Sequence, residues 1–254
     1  MPDALSFLLK SAWQLARHRG KERTQETVRQ MYDLGAAAQP FNSFDEFVYG
    51  TAPRTWIMLD GVLKYSYPSW AHRINASILY DLVKQHTKFG SVIEFGCGTG
   101  RNLLDLGMRG ITNPLIGLDL SMGSIRVAQA AAKQFDIPAR FLVHDVTEDL
   151  PRFTAVDVVF SVFALEMMPR VFTRALDNIR NLNPRIAIFI EPISELWPWT
   201  LHGMVSRLRV RQLDRLRDSL AAIENIGEII EARMLPAAHN ALNPGCLVVL
   251  KINR

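Results

Sequence analysis

From Ser91 onward, short apolar runs of strand length alternate with helix-length segments, and this rhythm constrains the fold more than any other feature of the chain. The runs are Ser91–Phe95, Leu115–Leu120, Phe141–His144, Val156–Phe160 and Ile186–Ile190. Between them Ile125, Ala128, Ala132 and Phe135 recur at helical spacing, as do Val171, Ala175, Ile179 and Leu182. Strands that are apolar on both faces need cover on both faces, so the pattern predicts a doubly wound parallel sheet between two helical layers. The end of the chain breaks the rhythm. Runs at Glu231–Ala237 and Leu247–Ile252 have only His239–Gly245 between them, too short for a helical crossover, so they should pair antiparallel. The expected fold is α/β: a seven-stranded, mostly parallel sheet over residues 89–254, with residues 1–88 as a helical N-terminal cap that includes one long helix from Trp70 to Lys88.

Composition removes other classes. The 254 residues carry 29 Lys+Arg against 25 Asp+Glu, a net charge of +4, with 48% apolar residues, which is a globular rather than a disordered profile. Only two cysteines, Cys97 and Cys246, are present, so a disulfide scaffold is excluded and a reducing, cytoplasmic location is expected. No apolar run approaches the roughly 20 residues that cross a bilayer, so no transmembrane segment is expected. The N-terminal stretch lacks the apolar core of a secretory signal. Its basic cluster (Arg17, His18, Arg19, Lys21, Arg23) reads as the solvated end of a packed helix, with contact to an anionic membrane surface as the alternative.

The strongest local signal is VIEFGCGTGRN, Val92 to Asn102, between the first run and a helical segment. Gly96, Gly98 and Gly100 allow a sharp turn and let a ligand touch the backbone. Arg101 stands where a dinucleotide fingerprint needs its third glycine, and no Gly-Lys-Ser/Thr of a P-loop follows. Glu94 beside the turn disfavours a phosphate and favours a ligand bearing an ammonium or hydroxyls.

With these residues the sequence resembles class I S-adenosylmethionine-dependent methyltransferases from about Ser91 to the C-terminus. PLIGLDLS (Pro114–Ser121), FLVHDVTEDLP (Phe141–Pro151), VDVVFSVFALEMMPR (Val156–Arg170) and IAIFIEP (Ile186–Pro192) match in order. The resemblance implies S-adenosyl-L-methionine as cofactor, with Asp119 on the ribose hydroxyls and Asp145, flanked by His144 and Val146, on the adenine. Leu120 and Val146 would sandwich that ring. The Gly96–Gly100 backbone, with Cys97, would lie against the methionine part, Glu94 would reach its ammonium, and Asn102, Ser161 and Phe163 complete the expected cofactor site. Arg73, Tyr65 and Tyr67 are candidates for the cofactor carboxylate, Arg73 being the better electrostatic match.

For the acceptor, Glu191, Glu166 and His202 are the candidate catalytic residues. Glu166, Glu191 and Glu195 together would make an acidic pocket suited to an amine or a polyhydroxylated molecule. His239, Asn240 and Asn243 are further acceptor-side candidates. The six histidines are scattered, and no metal site is expected. The exit loop SVFALE lacks the Asn/Asp-Pro-Pro-Tyr/Phe motif of adenine, cytosine and glutamine N-methylating families, lacks a nucleophilic Cys, and has Glu166 alone where protein-arginine enzymes have two acids. Arg207, Arg209, Arg211, Arg215 and Arg217 accompany an apolar stripe through Leu213, Leu216, Leu220 and Ile223, which reads as a solvated helix face and makes a nucleic-acid partner unlikely. The expected acceptor is therefore a small hydroxylated or amino-bearing metabolite, methylated on oxygen or nitrogen without a metal. RNA or protein methylation, or a catalytically idle adenosyl-ligand-binding partner, are the alternatives. A homodimer is compatible with this reading.

Overall fold

The computed structural model describes residues 3–17, 24–35, 41–168, 171–213 and 218–252. His18, Arg19, Lys21 and Arg23 of the basic cluster, Arg170 of the fourth-strand loop, and Arg215, Leu216 and Arg217 lie outside the described residues.

In chain order the elements begin with helices α1 (Ala4–Arg17), α2 (Gln25–Gly35) and α3 (Phe44–Tyr49), the hairpin β1 (Thr55–Leu59) and β2 (Val62–Ser66), and helix α4 (Pro68–His86). There follow β3 (Ser91–Phe95), α5 (Arg101–Met108), β4 (Leu115–Asp119), α6 (Met122–Gln134), β5 (Ala139–Val143) and β6 (Val156–Val162). Then come α7 (Phe172–Leu182), β7 (Ile186–Glu191), α8 (Leu201–Gln212), α9 (Ser219–Glu224), β8 (Gly227–Met234), β9 (Ala237–Ala238) and β10 (Cys246–Ile252).

Seven strands form one sheet in the order β5-β4-β3-β6-β7-β10-β8. The first five are parallel, and β10 runs antiparallel to both β7 and β8. All five residues of β3 are buried, as a central parallel strand requires. On one face Val92 and Phe160 pack with Leu79 and Val83 of α4, Leu103 and Leu104 of α5, and Ile125 and Ala128 of α6. On the other, Ile93 and Val159 pack with Leu176 and Ile179 of α7 and Ile223 of α9. Among the described residues no helix is long and apolar enough to cross a membrane.

The N-terminal 88 residues are not purely helical. Asp60 (φ 52°) and Gly61 (φ 75°) make a tight two-residue turn between β1 and β2, and β1 also pairs with β9 through Met58↔Ala238 and Leu59↔Ala237. Asp-Gly is suited to such a turn because both central residues need positive φ. This three-stranded sheet ties the N-terminal region to the loop before β10. A triad with two buried members adds a second tie: the Tyr49 hydroxyl donates to Asp105 at 2.7 Å, while Arg109 donates to Tyr49 at 2.9 Å and pairs with Asp105 at 2.8 Å. The strand order reverses on either side of β3, and the crevice at the carboxyl ends there is where open α/β sheets bind ligands.

Candidate active site

Beyond Phe95 the chain turns through Gly96 (φ 69°), Cys97 and Gly98 (φ 52°) into α5. A Cβ on Gly96 would stand 2.3 Å from Ala164 Cβ, so a side chain there would break the contact between the β3 and β6 exits. At Gly98 the same position is open space, and the backbone faces a cavity. Asp119, ending β4, fastens the turn: its Oδ2 accepts the Gly98 N–H at 2.7 Å and its Oδ1 accepts the Ser121 N–H at 2.8 Å. Each oxygen retains a further lone pair for a ligand. Burial raises its carboxyl above the ordinary carboxylate value, against the pull of the two N–H groups.

The cavity at this switch point has a volume of about 480 Å³. Glu94 lies beneath it, almost wholly buried, with Oε1 accepting Asn102 Nδ2 at 2.6 Å and Oε2 without a partner. Burial holds the Glu94 carboxyl well above its usual range, and the charge of Asp119 adds to this. A ligand cation would supply what Oε2 lacks. On the opposite wall Asp145 uses Oδ1 for the Thr147 N–H (2.9 Å) and hydroxyl (2.7 Å) and Oδ2 for the carboxamide of Gln25 (3.0 Å). Leu120 and Val146 stand beside it, and the Nε2 of the cavity-lining His144 has no partner. Cys97 also lines the cavity, and burial pushes its thiol well up, which disfavours the thiolate.

Of the expected cofactor residues, Glu94, Gly96, Cys97, Gly98, Asn102, Asp119, Leu120, His144, Asp145, Val146 and Phe163 line this one cavity. Three do not. Gly100 lies under the turn, where a Cβ would meet the Phe141 ring at 2.6 Å. Ser161 is fully buried and donates to Glu191 Oε1 at 2.6 Å. Arg73 faces outward, paired with Asp45 at 2.8 Å and half exposed, because its neighbour His72 takes the inward position on α4.

The acidic acceptor pocket does not form. Glu191 is fully buried and accepts four hydrogen bonds, from the Ser161 hydroxyl and the backbone N–H groups of Ala164, Leu165 and Glu166, so it holds the β6 exit loop rather than a ligand. Glu166 accepts from Asn243 Nδ2 at 3.1 and 3.3 Å, and Glu195 accepts the Leu220 N–H at 2.9 Å. His202 bonds the carbonyl of Ala241 away from the cavity. Asn240 caps its own turn by accepting the Leu242 N–H. Arg207 is not a solvated charge either: it donates to the carbonyls of Ser194, Trp197 and Pro198.

Gln25, His72, Asn75 and Arg101, which no motif in the sequence marks as site residues, also line the cavity. His72, Asn75, Ala76 and Leu79 recur at spacings of three, one and three, the signature of one helix face. Arg101 directly follows the glycine turn; it makes no ion pair or hydrogen bond with a described residue, and its guanidinium lies 5.9 Å from the Phe47 ring centre. Among the described residues no group of three or more His, Cys, Asp or Glu side chains could hold a metal ion.

Residues 92–184 match the family model of a methyltransferase domain. That segment of the chain is similar to a methyltransferase domain. The matched segment runs from β3 to just beyond α7 and so contains the glycine turn, Asp119, Asp145 and Phe163 of this cavity. No curated protein matches the chain by sequence. Solved structures share its fold. Magnesium protoporphyrin IX methyltransferase from Synechocystis, with bound S-adenosylhomocysteine, is 14% identical with a TM-score of 0.62, covering 91% of this chain and 100% of that one. The [4+2]-cyclase SpnF is 16% identical with a TM-score of 0.64, covering 92% and 98%. The N-methyltransferase NodS from Bradyrhizobium japonicum, also with S-adenosylhomocysteine, is 12% identical with a TM-score of 0.57, covering 72% and 88%.

Proposed function

We propose that this chain binds S-adenosylmethionine in the cavity beside Gly96–Gly98 and methylates a small molecule. The observation that carries the reading is the buried, unpartnered Glu94 Oε2 on the cavity that Asp119 also lines. An amino acid ammonium answers the first, and a ribose diol answers the second by adding donors to oxygens that already hold Gly98 and Ser121. Asp145 and His144 supply polar edges for an adenine between Leu120 and Val146. Arg101 replaces Arg73 as the group for the cofactor carboxylate, since it follows the turn and has its charge free toward the cavity.

When bound, S-adenosylmethionine supplies a methyl group already activated by its sulfonium charge. The protein's task is then alignment and exclusion of water. Phe163, held at φ 52° with its N–H on the Ile190 carbonyl at 2.9 Å, fixes the wall next to Ala164. Glu191 keeps that exit loop in shape from below. Helix α2 covers the adenosyl end through Gln25 on Asp145 and Thr147 and through Asp33 on Ser121 and Gly123. The magnesium protoporphyrin IX methyltransferase and NodS, both named for methyl transfer, support a small-molecule acceptor. The likeness to a [4+2]-cyclase supports a second reading, in which the same cavity serves chemistry other than methyl transfer.

Methyl-labelled S-adenosylmethionine incubated with the protein and a metabolite extract tests the proposal. Label in a small molecule with the wild type and not with Asp119→Ala supports it. Label in RNA or protein, or in neither despite cofactor binding, contradicts it.

A further inference from the structure

Two histidines from distant parts of the chain meet on the cavity. His72 of α4 and His239 after β9 stack with ring centres 4.4 Å apart and planes 19° apart, and the Phe163 ring meets His239 edge-on at 5.3 Å. Asn75, one turn beyond His72, clamps the two segments together by donating Nδ2 to the Ala237 carbonyl at 3.2 Å. Its Oδ1 is buried and has no partner. Neither imidazole makes a hydrogen bond to a described residue, so four ring nitrogens and one amide oxygen are left for a ligand. Burial pushes both rings down to about 4, with the charge of Arg101 contributing at His72, so both are neutral at pH 7, each with one donor and one acceptor nitrogen.

We propose that His72, His239 and Asn75 form the acceptor subsite, and that it takes a weakly acidic hydroxyl, phenolic or enolic, on a flat apolar body. This rests on the reading that the other end of the cavity holds S-adenosylmethionine. The carboxylates that would have drawn an ammonium are otherwise engaged: Glu191, Glu166 and Glu195 bond to protein groups, and Glu94, Asp119 and Asp145 are assigned to the cofactor. Phe163, Met167, Met168 and Ile190 also line the cavity and supply apolar surface that suits a planar ring. His239, in edge contact with Phe163, accepts the hydroxyl proton on its unprotonated nitrogen. The O–H bond breaks as the oxygen's pair bonds the methyl carbon, and the C–S pair stays on sulfur. One positive charge passes from sulfonium to imidazolium. His72 is the positioning partner, and stacking of two like rings permits only one of them to carry that proton.

The test uses protein saturated with S-adenosylhomocysteine, whose own binding is measured first by calorimetry, and 7-hydroxycoumarin as the probe, read by its fluorescence. The expected result is saturable binding that His239→Phe and His72→Phe each weaken about tenfold, while His239→Gln, which keeps a donor and an acceptor, retains it within about threefold. With labelled S-adenosylmethionine, label should then enter the coumarin ether in the wild type and not in His239→Gln. Cofactor binding without coumarin binding, binding indifferent to both Phe variants, tighter binding of benzylamine or benzoate, or labelling that survives His239→Gln would each overturn the proposal while leaving the cofactor site standing. Failure of S-adenosylhomocysteine to bind would instead bring down the cofactor reading and this one with it.

Discussion

The carboxamide of Gln25 donates to Asp145 Oδ2 at 3.0 Å, joining the start of α2 to the end of β5 across 120 residues of chain. Further along α2, Asp33 Oδ1 accepts the Ser121 hydroxyl at 2.6 Å and the Gly123 N–H at 2.9 Å. Helix α2 is thus a strap pinned at both ends over the adenosyl side of the cavity. Removing one pin should loosen the strap without unmaking the pocket. Gln25→Ala is expected to speed release of S-adenosylhomocysteine by about three- to tenfold, in keeping with the loss of one or two hydrogen bonds. Stopped-flow displacement measures it, and an unchanged release rate would mean that α2 does not gate the site.

Arg73 and Arg101 separate an outward charge from an inward one. Arg101→Met is expected to weaken cofactor binding by about tenfold through loss of a charge-assisted pair. Arg73→Met, which breaks a half-exposed pair with Asp45, should leave affinity within about twofold. Calorimetry on the two variants decides; the opposite ranking would restore Arg73 as the carboxylate group.

Glu191 is a structural acid on this account. Glu191→Ala leaves the Ser161 hydroxyl and three backbone N–H groups without their acceptor in a fully buried setting, so a loss of about 2–4 kcal/mol is expected. Urea denaturation reads this directly. A variant of native stability that had lost turnover alone would return Glu191 to the acceptor pocket.

The histidine pair makes acid stability testable. Both rings sit near 4 in the fold against an ordinary 6.5, so between those values the unfolded chain binds more protons than the native one. Their contribution is complete above about pH 6.5 and is lost progressively as pH falls toward 4. Glu191, pushed up to about 7 by burial, has the opposite slope, but it is common to wild type and variant and cancels in the comparison. The urea midpoint of the wild type should therefore fall more between pH 7 and about pH 5 than that of the His72→Gln, His239→Gln double variant. Equal declines would mean that the imidazoles are not held neutral by burial.

The sheet was legible because its central strands are buried on both faces. Runs such as Ser91–Phe95 and Ile186–Ile190 carry a signal that no local turn chemistry can blur, and the adenosyl side was legible because each of its residues ends a strand. The β1–β2 hairpin escaped although Asp60-Gly61 announced it, since alternating Thr55–Leu59 and Val62–Ser66 lie inside an aromatic-rich stretch that reads as irregular. The acceptor side failed for a different reason. Strand-end acids such as Glu191 look identical in sequence whether they face a ligand or a loop of backbone N–H groups, and only the β6 exit loop's curl back over Glu191 decides between them. His72 and His239 are separated by 167 residues and meet because β9 pairs with β1, a contact of two residues that carries almost no sequence signature.

The central claim is that the cavity beside Gly98 is an S-adenosylmethionine site in which Asp119 serves both the turn and the ligand. Calorimetric titration of S-adenosylhomocysteine into wild type and Asp119→Ala tests it most directly. The account predicts one-to-one binding by the wild type, weakened in the variant by about 1.5–3 kcal/mol through loss of charge-assisted hydrogen bonds. No binding by the wild type, or equal affinity in the two proteins, would contradict it.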